Sequence, residues 1–300
     1  MVKIASYNLW NGAGETYFRL TDFIKEQKFD VLCLQEVNGW QDKNFARLKD
    51  FADRDGYTDY QYGNSNSEYK LATFSMLPVV SQTVHEEGFW HCVVETHVRF
   101  GDTELAIFNL HLDPWKEEPR LREVEKLLSR IDASKPTILT GDFNSLSRQD
   151  NYPPEFLQEL QRRGIYKYGQ NELDFGVTDR LASAGFVDVA AQSSKFDKTV
   201  PSPYSTDPEH EVPARIDYMF VSESLKPLVR DFAVIKNEAT DKISDHYPVV
   251  LTLGQQDELP AAPVAKPDET QIASAPAPKP ENPENEPENT ATEGEIKVHH

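Results

Sequence analysis

Residues 136–144 read PTILTGDFN, and residues 244–253 read SDHYPVVLTL. Each couples an apolar, β-branched run of strand length to a short polar cluster. In the first, Asp142 and Asn144 close the strand. In the second, Asp245 and His246 sit just before it. Strands of one sheet can bring such ends to a common rim, where α/β folds usually assemble their sites.

The same arrangement recurs along the chain. Asn8 closes IASYN, Glu36 follows VLCLQ, and His111 ends AIFNLH. Asp217 lies inside RIDYMFV, where a carboxylate needs a partner, because an isolated buried charge is very costly. Strands are expected at 2–9, 30–35, 71–76, 91–99, 104–111, 136–142, 216–221 and 247–253. The stretch 84–111 reads as neighbouring antiparallel strands turned at Phe100-Gly101-Asp102. Apolar residues at helical spacing place helices at 16–28 and 118–132. Two more are expected near 153–163 and 178–184, the latter with Thr178 as N-cap and Gly185 as stop. This many strands fit two packed sheets better than one open sheet. Helices then cover a mixed α/β assembly.

Composition sets the boundaries. Of the 20 prolines, eight fall in residues 255–300, a Pro/Glu/Ala-rich stretch with almost no aromatic or large aliphatic residues. It cannot bury enough apolar surface to offset ordering, so it is expected to be a disordered tail or linker. Residues 1–254 are long enough to form one domain around a sizeable core. The net charge is −19. The stretch 255–300 carries ten Asp or Glu and three Lys, which is −7 and leaves −12 on residues 1–254. No Lys/Arg-rich run offers the basic stripe that long nucleic acid needs. Cys33 and Cys92 each sit in an apolar run and read as buried free thiols. No run approaches the roughly 18 apolar residues of a membrane span, and no signal peptide is visible, so a cytoplasmic location is the default expectation.

Taken singly, the polar strand ends have plain readings: Asn8 as a turn former, GDFN as a tight turn, His111 and His246 as satisfied structural histidines. Their order changes this. SYNLW, LQEV, NLHL, GDFN, RIDYMFV and SDHYPV follow one another over residues 2–253. Together they resemble the endonuclease/exonuclease/phosphatase superfamily, which takes in DNase I, AP endonucleases, sphingomyelinases and inositol polyphosphate 5-phosphatases. The resemblance implies a DNase I-like, four-layer αββα sandwich. It also implies a phosphoric ester hydrolase in which Glu36, helped by Asn8 and Asp245, holds Mg²⁺ or Mn²⁺. Asp142 would orient or deprotonate the attacking water, and Asn144 would bond the developing charge on phosphorus. His246 would stabilise the transition state or a second metal, with Asp217 fixing its tautomer. His111 resembles the histidine that contacts phosphate, or protonates the leaving oxygen, in the DNase I and sphingomyelinase branches.

Two positions depart from the AP-endonuclease pattern. Trp10 stands where that branch commonly has an acidic ligand, and His111 where it uses a tyrosine. With the acidic body, these favour a monomeric phosphodiesterase or phosphomonoesterase acting on a small molecule or headgroup over one acting on long nucleic acid. A DNA or RNA nuclease of the same superfamily and a catalytically silent scaffold are the alternatives. Trp115 and Arg120, in the segment after His111, are expected to contact substrate. Trp10, Trp40, Phe89, Trp90 and Trp115 are candidates for an aromatic rim. The long Pro/Ser-rich loop 193–213 is a candidate for substrate selection.

Overall fold

The computed structural model describes residues 1–254, so the expected tail at 255–300 lies outside the described residues. In chain order the elements are β1 Val2–Asn8, α1 Tyr17–Gln27, β2 Val31–Gln35, α2 Asp42–Asp55, β3 Asp59–Gly63, β4 Leu71–Ser75, β5 Val79–His85, β6 Val93–Phe100 and β7 Thr103–His111. There follow α3 Glu117–Leu128, β8 Thr137–Asp142, α4 Pro154–Arg163, α5 Gly176–Ser183, β9 Phe186–Asp188, α6 Val189–Ser193, β10 Asp217–Ser222, β11 Val229–Val234 and β12 Val249–Leu253.

Two six-stranded sheets form, in the orders β11-β12-β1-β2-β4-β3 and β5-β6-β7-β8-β10-β9. Their facing side chains make the central core: Ile4, Val31 and Leu251 from one sheet meet Ile107, Ile138 and Met219 from the other. On the outer face of the first sheet, Leu20 and Phe23 of α1 and Phe51 of α2 pack on Leu32, Leu34 and Phe74. On the outer face of the second, Val124 and Leu127 of α3 and Leu181 of α5 cover Phe108, Leu139 and Phe220. Central strands are therefore buried on both faces, which explains why β2 reads as an almost continuous apolar run. The result is the four-layer αββα sandwich.

The β6–β7 pair is antiparallel and turns where expected, with Phe100 opposite Thr103. Cys33 and Cys92 are buried free thiols. Thr178 is a correction. Helix α5 begins at Gly176 with Phe175 at its N-cap, and the Thr178 hydroxyl donates to the Leu146 and Phe175 carbonyls from inside the helix. Among the described residues no helix is long and apolar enough to cross a membrane.

Candidate active site

Strand register builds the site. In the second sheet His111 is level with Asp142 across the parallel β7–β8 pair. Asp142 in turn is level with Asp217 across β8–β10, so three polar residues stand side by side at one sheet end. Gly141 makes this possible. Its φ is +142°, and a Cβ there would lie 1.9 Å from the Leu110 carbonyl oxygen, so any other residue would push β8 off β7. In the first sheet Asn8 is level with Gln35, one residue before Glu36. The antiparallel β1–β12 pair carries Asp245 and His246 to the same end.

A single amide joins the two sheets' acids. Asn8 Nδ2 donates to Glu36 Oε1 at 3.1 Å and to Asp142 Oδ2 at 3.0 Å. Its Oδ1 accepts from the Trp10 N–H at 3.1 Å. Asn8 therefore links two carboxylates here and turns its oxygen away from them, which differs from the expected ligand geometry. Glu36 has a left-handed backbone, with φ +59°, and this lets its Oε2 accept from the Asn11 N–H at 2.9 Å. Such strain in a non-glycine residue persists only where its surroundings hold it. Burial pushes the Glu36 carboxyl up to about 7, against the Asn11 hydrogen bond. Asp142 Oδ1 accepts from the Asn144 N–H at 2.9 Å, while Asn144 Nδ2 donates to the Leu112 carbonyl.

His246 Nδ1 lies 2.8 Å from Asp217 Oδ2. A carboxylate there only accepts, so the proton sits on Nδ1, and Nε2 faces Asp142 Oδ2 at 3.8 Å and Asp245 Oδ1 at 4.0 Å. Burial alone lowers the imidazole's pKa, but Asp217 and Asp245 outweigh it and lift it to about 10. Burial also opposes ionised Asp245, yet His246 and His210 hold that carboxyl below the usual range. His111 Nε2 is 3.5 Å from Asp142 Oδ2. Burial drives its pKa down to about 3, so it is a neutral ring at ordinary pH. It stacks on His91 with centroids 4.0 Å apart.

Glu36, His91, His111, Asp142, Asn144 and His246 line a cleft of about 420 Å³, with Trp10, Tyr69 and Trp115 on its walls and Thr206–His210 along one side, while Asn8, Asp217 and Asp245 lie buried behind them. The loop expected to select substrate does reach the cleft. Of the proposed aromatic rim, Trp10 and Trp115 line it, whereas Trp40 is buried in the core with its Nε1 donating to the Gly12 carbonyl. Phe89 and Trp90 lie outside the lining.

Arg120 is a second correction. It is 0% exposed, and its guanidinium donates to Glu117 Oε2 and the Asp113 and Lys167 carbonyls. It braces the two segments that carry Trp115 and Lys167 and does not reach the cleft. Tyr69, His91 and Lys167 line the cleft without a sequence expectation, and His210 is covered there only as part of the 193–213 loop. His210 Nδ1 is 3.1 Å from Asp245 Oδ2. The one available signal was Lys167, a cation between two tyrosines in IYKYG.

Two sets of ligand atoms are spaced to share a cation: His210, Asp245 and His246, and Asp142, Asp217 and His246, each within 4.8 Å of one another. Glu36 belongs to neither set, although it borders the same cleft.

The sequence profile described as the Endonuclease/Exonuclease/phosphatase family matches residues 5–246, and the chain belongs to that family. Its members are hydrolases acting on phosphoesters. Among solved structures it is similar to an endonuclease/exonuclease/phosphatase family protein from Leptotrichia buccalis, at 18% identity and TM-score 0.62 over 85% of this chain and 100% of that one. It is also similar to an AP endonuclease from Archaeoglobus fulgidus, at 19% identity and TM-score 0.62 over 84% and 99%. A mannosyl-6-phosphatase from Bacteroides thetaiotaomicron aligns at 21% identity and TM-score 0.58 over 85% and 100%. A search of the curated proteins finds no match.

Proposed function

We propose that this chain is a divalent-metal-dependent hydrolase of small phosphoesters, working by in-line attack of water. The observation that carries this reading is the buried His246–Asp217 pair, whose Nε2 faces Asp142 in a cleft bordered by Glu36. Four acids, Glu36, Asp142, Asp217 and Asp245, crowd this floor with His246 and Lys167 as the nearby cations. Such a hard-oxygen set fits Mg²⁺ or Mn²⁺. Glu36 and Asp245 would hold the ion, with Asn8 joining them once its amide turns over. When bound, the metal supplies neutralisation of charge on the phosphoryl oxygens.

The protein's own groups do the rest. Asp142, fixed by the Asn8 amide and the Asn144 N–H, accepts a hydrogen bond from the attacking water and orients it. His246, kept protonated by Asp217, presents an N–H to the charge that grows on the phosphoryl oxygens. Neutral His111 and the second amide hydrogen of Asn144 would bond the remaining phosphoryl oxygens. The small volume of the cleft, about 420 Å³, and the −12 charge on residues 1–254 favour a small molecule or headgroup over long nucleic acid.

The test is a substrate panel with Mg²⁺, Mn²⁺ or chelator: plasmid, single-stranded oligonucleotide, bis-p-nitrophenyl phosphate, sphingomyelin and inositol phosphates. Metal-dependent turnover of a small ester, abolished in His246→Ala, is expected. Faster cleavage of plasmid would make the chain a nuclease. Equal background rates for wild type and variant would make it a scaffold.

A further inference from the structure

Lys167 follows α4 and enters the cleft with its side chain only 6% exposed. A buried ammonium is costly to keep, so its surroundings matter. Arg120 fixes its backbone by donating to the Lys167 carbonyl. Lys167 Nζ lies 3.2 Å from His210 Nε2 and 3.4 Å from Glu209 Oε2. Asp245 accepts from His210 Nδ1, which leaves the Nε2 lone pair free to accept from Lys167. A chain from Asp245 through His210 thus holds the ammonium in place. Of its three N–H donors, His210 takes one and half-exposed Glu209 pairs with a second. The ammonium also has the Tyr168 ring 5.3 Å away, and because Lys167 lines the cleft its charge acts on whatever occupies it.

A fixed charge attracts a dianion twice as strongly as a monoanion at the same distance. A phosphomonoester offers two charges and three non-bridging oxygens, and has no second substituent on phosphorus to place in the cleft. Building on the phosphoesterase reading above, we propose that Lys167 binds the phosphoryl group and selects doubly charged phosphomonoesters over singly charged diesters. Glu209 partly neutralises it and so tempers that preference.

The experiment measures kcat/KM for p-nitrophenyl phosphate and bis-p-nitrophenyl phosphate in Mg²⁺, at a pH where the monoester is fully dianionic. It uses wild type, Lys167→Met and Glu209→Gln, with thermal unfolding of each to confirm folding. Both esters lose a charge-assisted hydrogen bond, and the dianion loses about twice as much, so Lys167→Met is expected to lower the monoester-to-diester ratio by roughly three- to tenfold. Glu209→Gln, a change at a half-exposed residue, should raise the ratio. Equal losses on both esters, or a ratio that falls in both variants, would overturn the role of Lys167. If Lys167→Met fails to fold, the direction of the change in Glu209→Gln decides. A wild type inactive on both esters would instead remove the phosphoesterase reading, and this inference with it.

Discussion

Replacing Asp217 with Asn keeps the side chain's shape and removes one charge from a pair that water hardly reaches: the two side chains are 1% and 2% exposed and 2.8 Å apart. Opposite charges about 4 Å apart attract by about 4 kcal/mol at an effective dielectric near 20. Removing one partner of a buried pair costs about 3–5 kcal/mol. The pH window follows from the imidazole. Burial lowers its pKa, but Asp217 and Asp245 raise it from 6.5 to about 10 in the fold. A folded pKa above the unfolded one gives stabilisation that is complete below pH 6.5 and lost as pH rises through about 10. Asp217→Asn should therefore be less stable than wild type by about 3–5 kcal/mol on the acid side of this window, or roughly 6–20 °C in Tm. The deficit should shrink towards its alkaline end. Urea unfolding at several pH values in chelator, comparing the two proteins, cancels groups common to both. Parallel pH profiles would refute the reasoning, because the pair would then contribute nothing that depends on the imidazole's proton.

Glu36 has a raised pKa of about 7, so its favourable protonated state is lost above that pH and the metal-free fold is weakened there. Glu36→Gln should consequently be the more stable protein in chelator above pH 7. Wild type alone should gain about 5–10 °C in Tm with Mn²⁺ at ~100 times its Kd. A matching gain in the variant would remove Glu36 from the metal site. Arg120→Leu leaves Glu117 buried without its cation, and should lower unfolding stability in urea by about 3–5 kcal/mol; a change under about 1 kcal/mol would contradict the bracing role. Trp115 is 57% exposed on the cleft wall. Trp115→Ala should leave stability within about 0.5 kcal/mol and raise KM several-fold in steady-state assays, and an unaltered KM would show that the wall does not touch substrate.

The central strands were legible because both faces are buried, so their apolar runs stand out and end abruptly in Asn8, Glu36, His111 or Asp142. The strands that escaped notice, β3, β5, β9 and β11, are the four sheet edges. An edge strand has one neighbour and more solvent contact. VVSQTVH in β5 accordingly mixes exposed and half-buried positions and carries little periodicity. Helix α2 was hidden for a similar reason, since few of its residues, chiefly Leu48, Phe51 and Ala52, reach the core. Arg120 reads as a substrate contact because it stands in the segment after His111, a position that says nothing of its burial. Its burial depends on Asp113 and Lys167, which no local pattern connects to it. His210 and Lys167 come from irregular segments whose approach to the cleft is set by tertiary packing, with no strand end to mark them.

The most direct measurement is a crystal structure with Mn²⁺, locating the ion by its anomalous scattering. One peak in the cleft, bonded to the carboxylates of Glu36 and Asp245 and adjacent to Asp142, is the predicted result. An ion found only elsewhere on the protein, or an empty cleft at saturating Mn²⁺, would contradict a cation-assisted phosphate site at this sheet end.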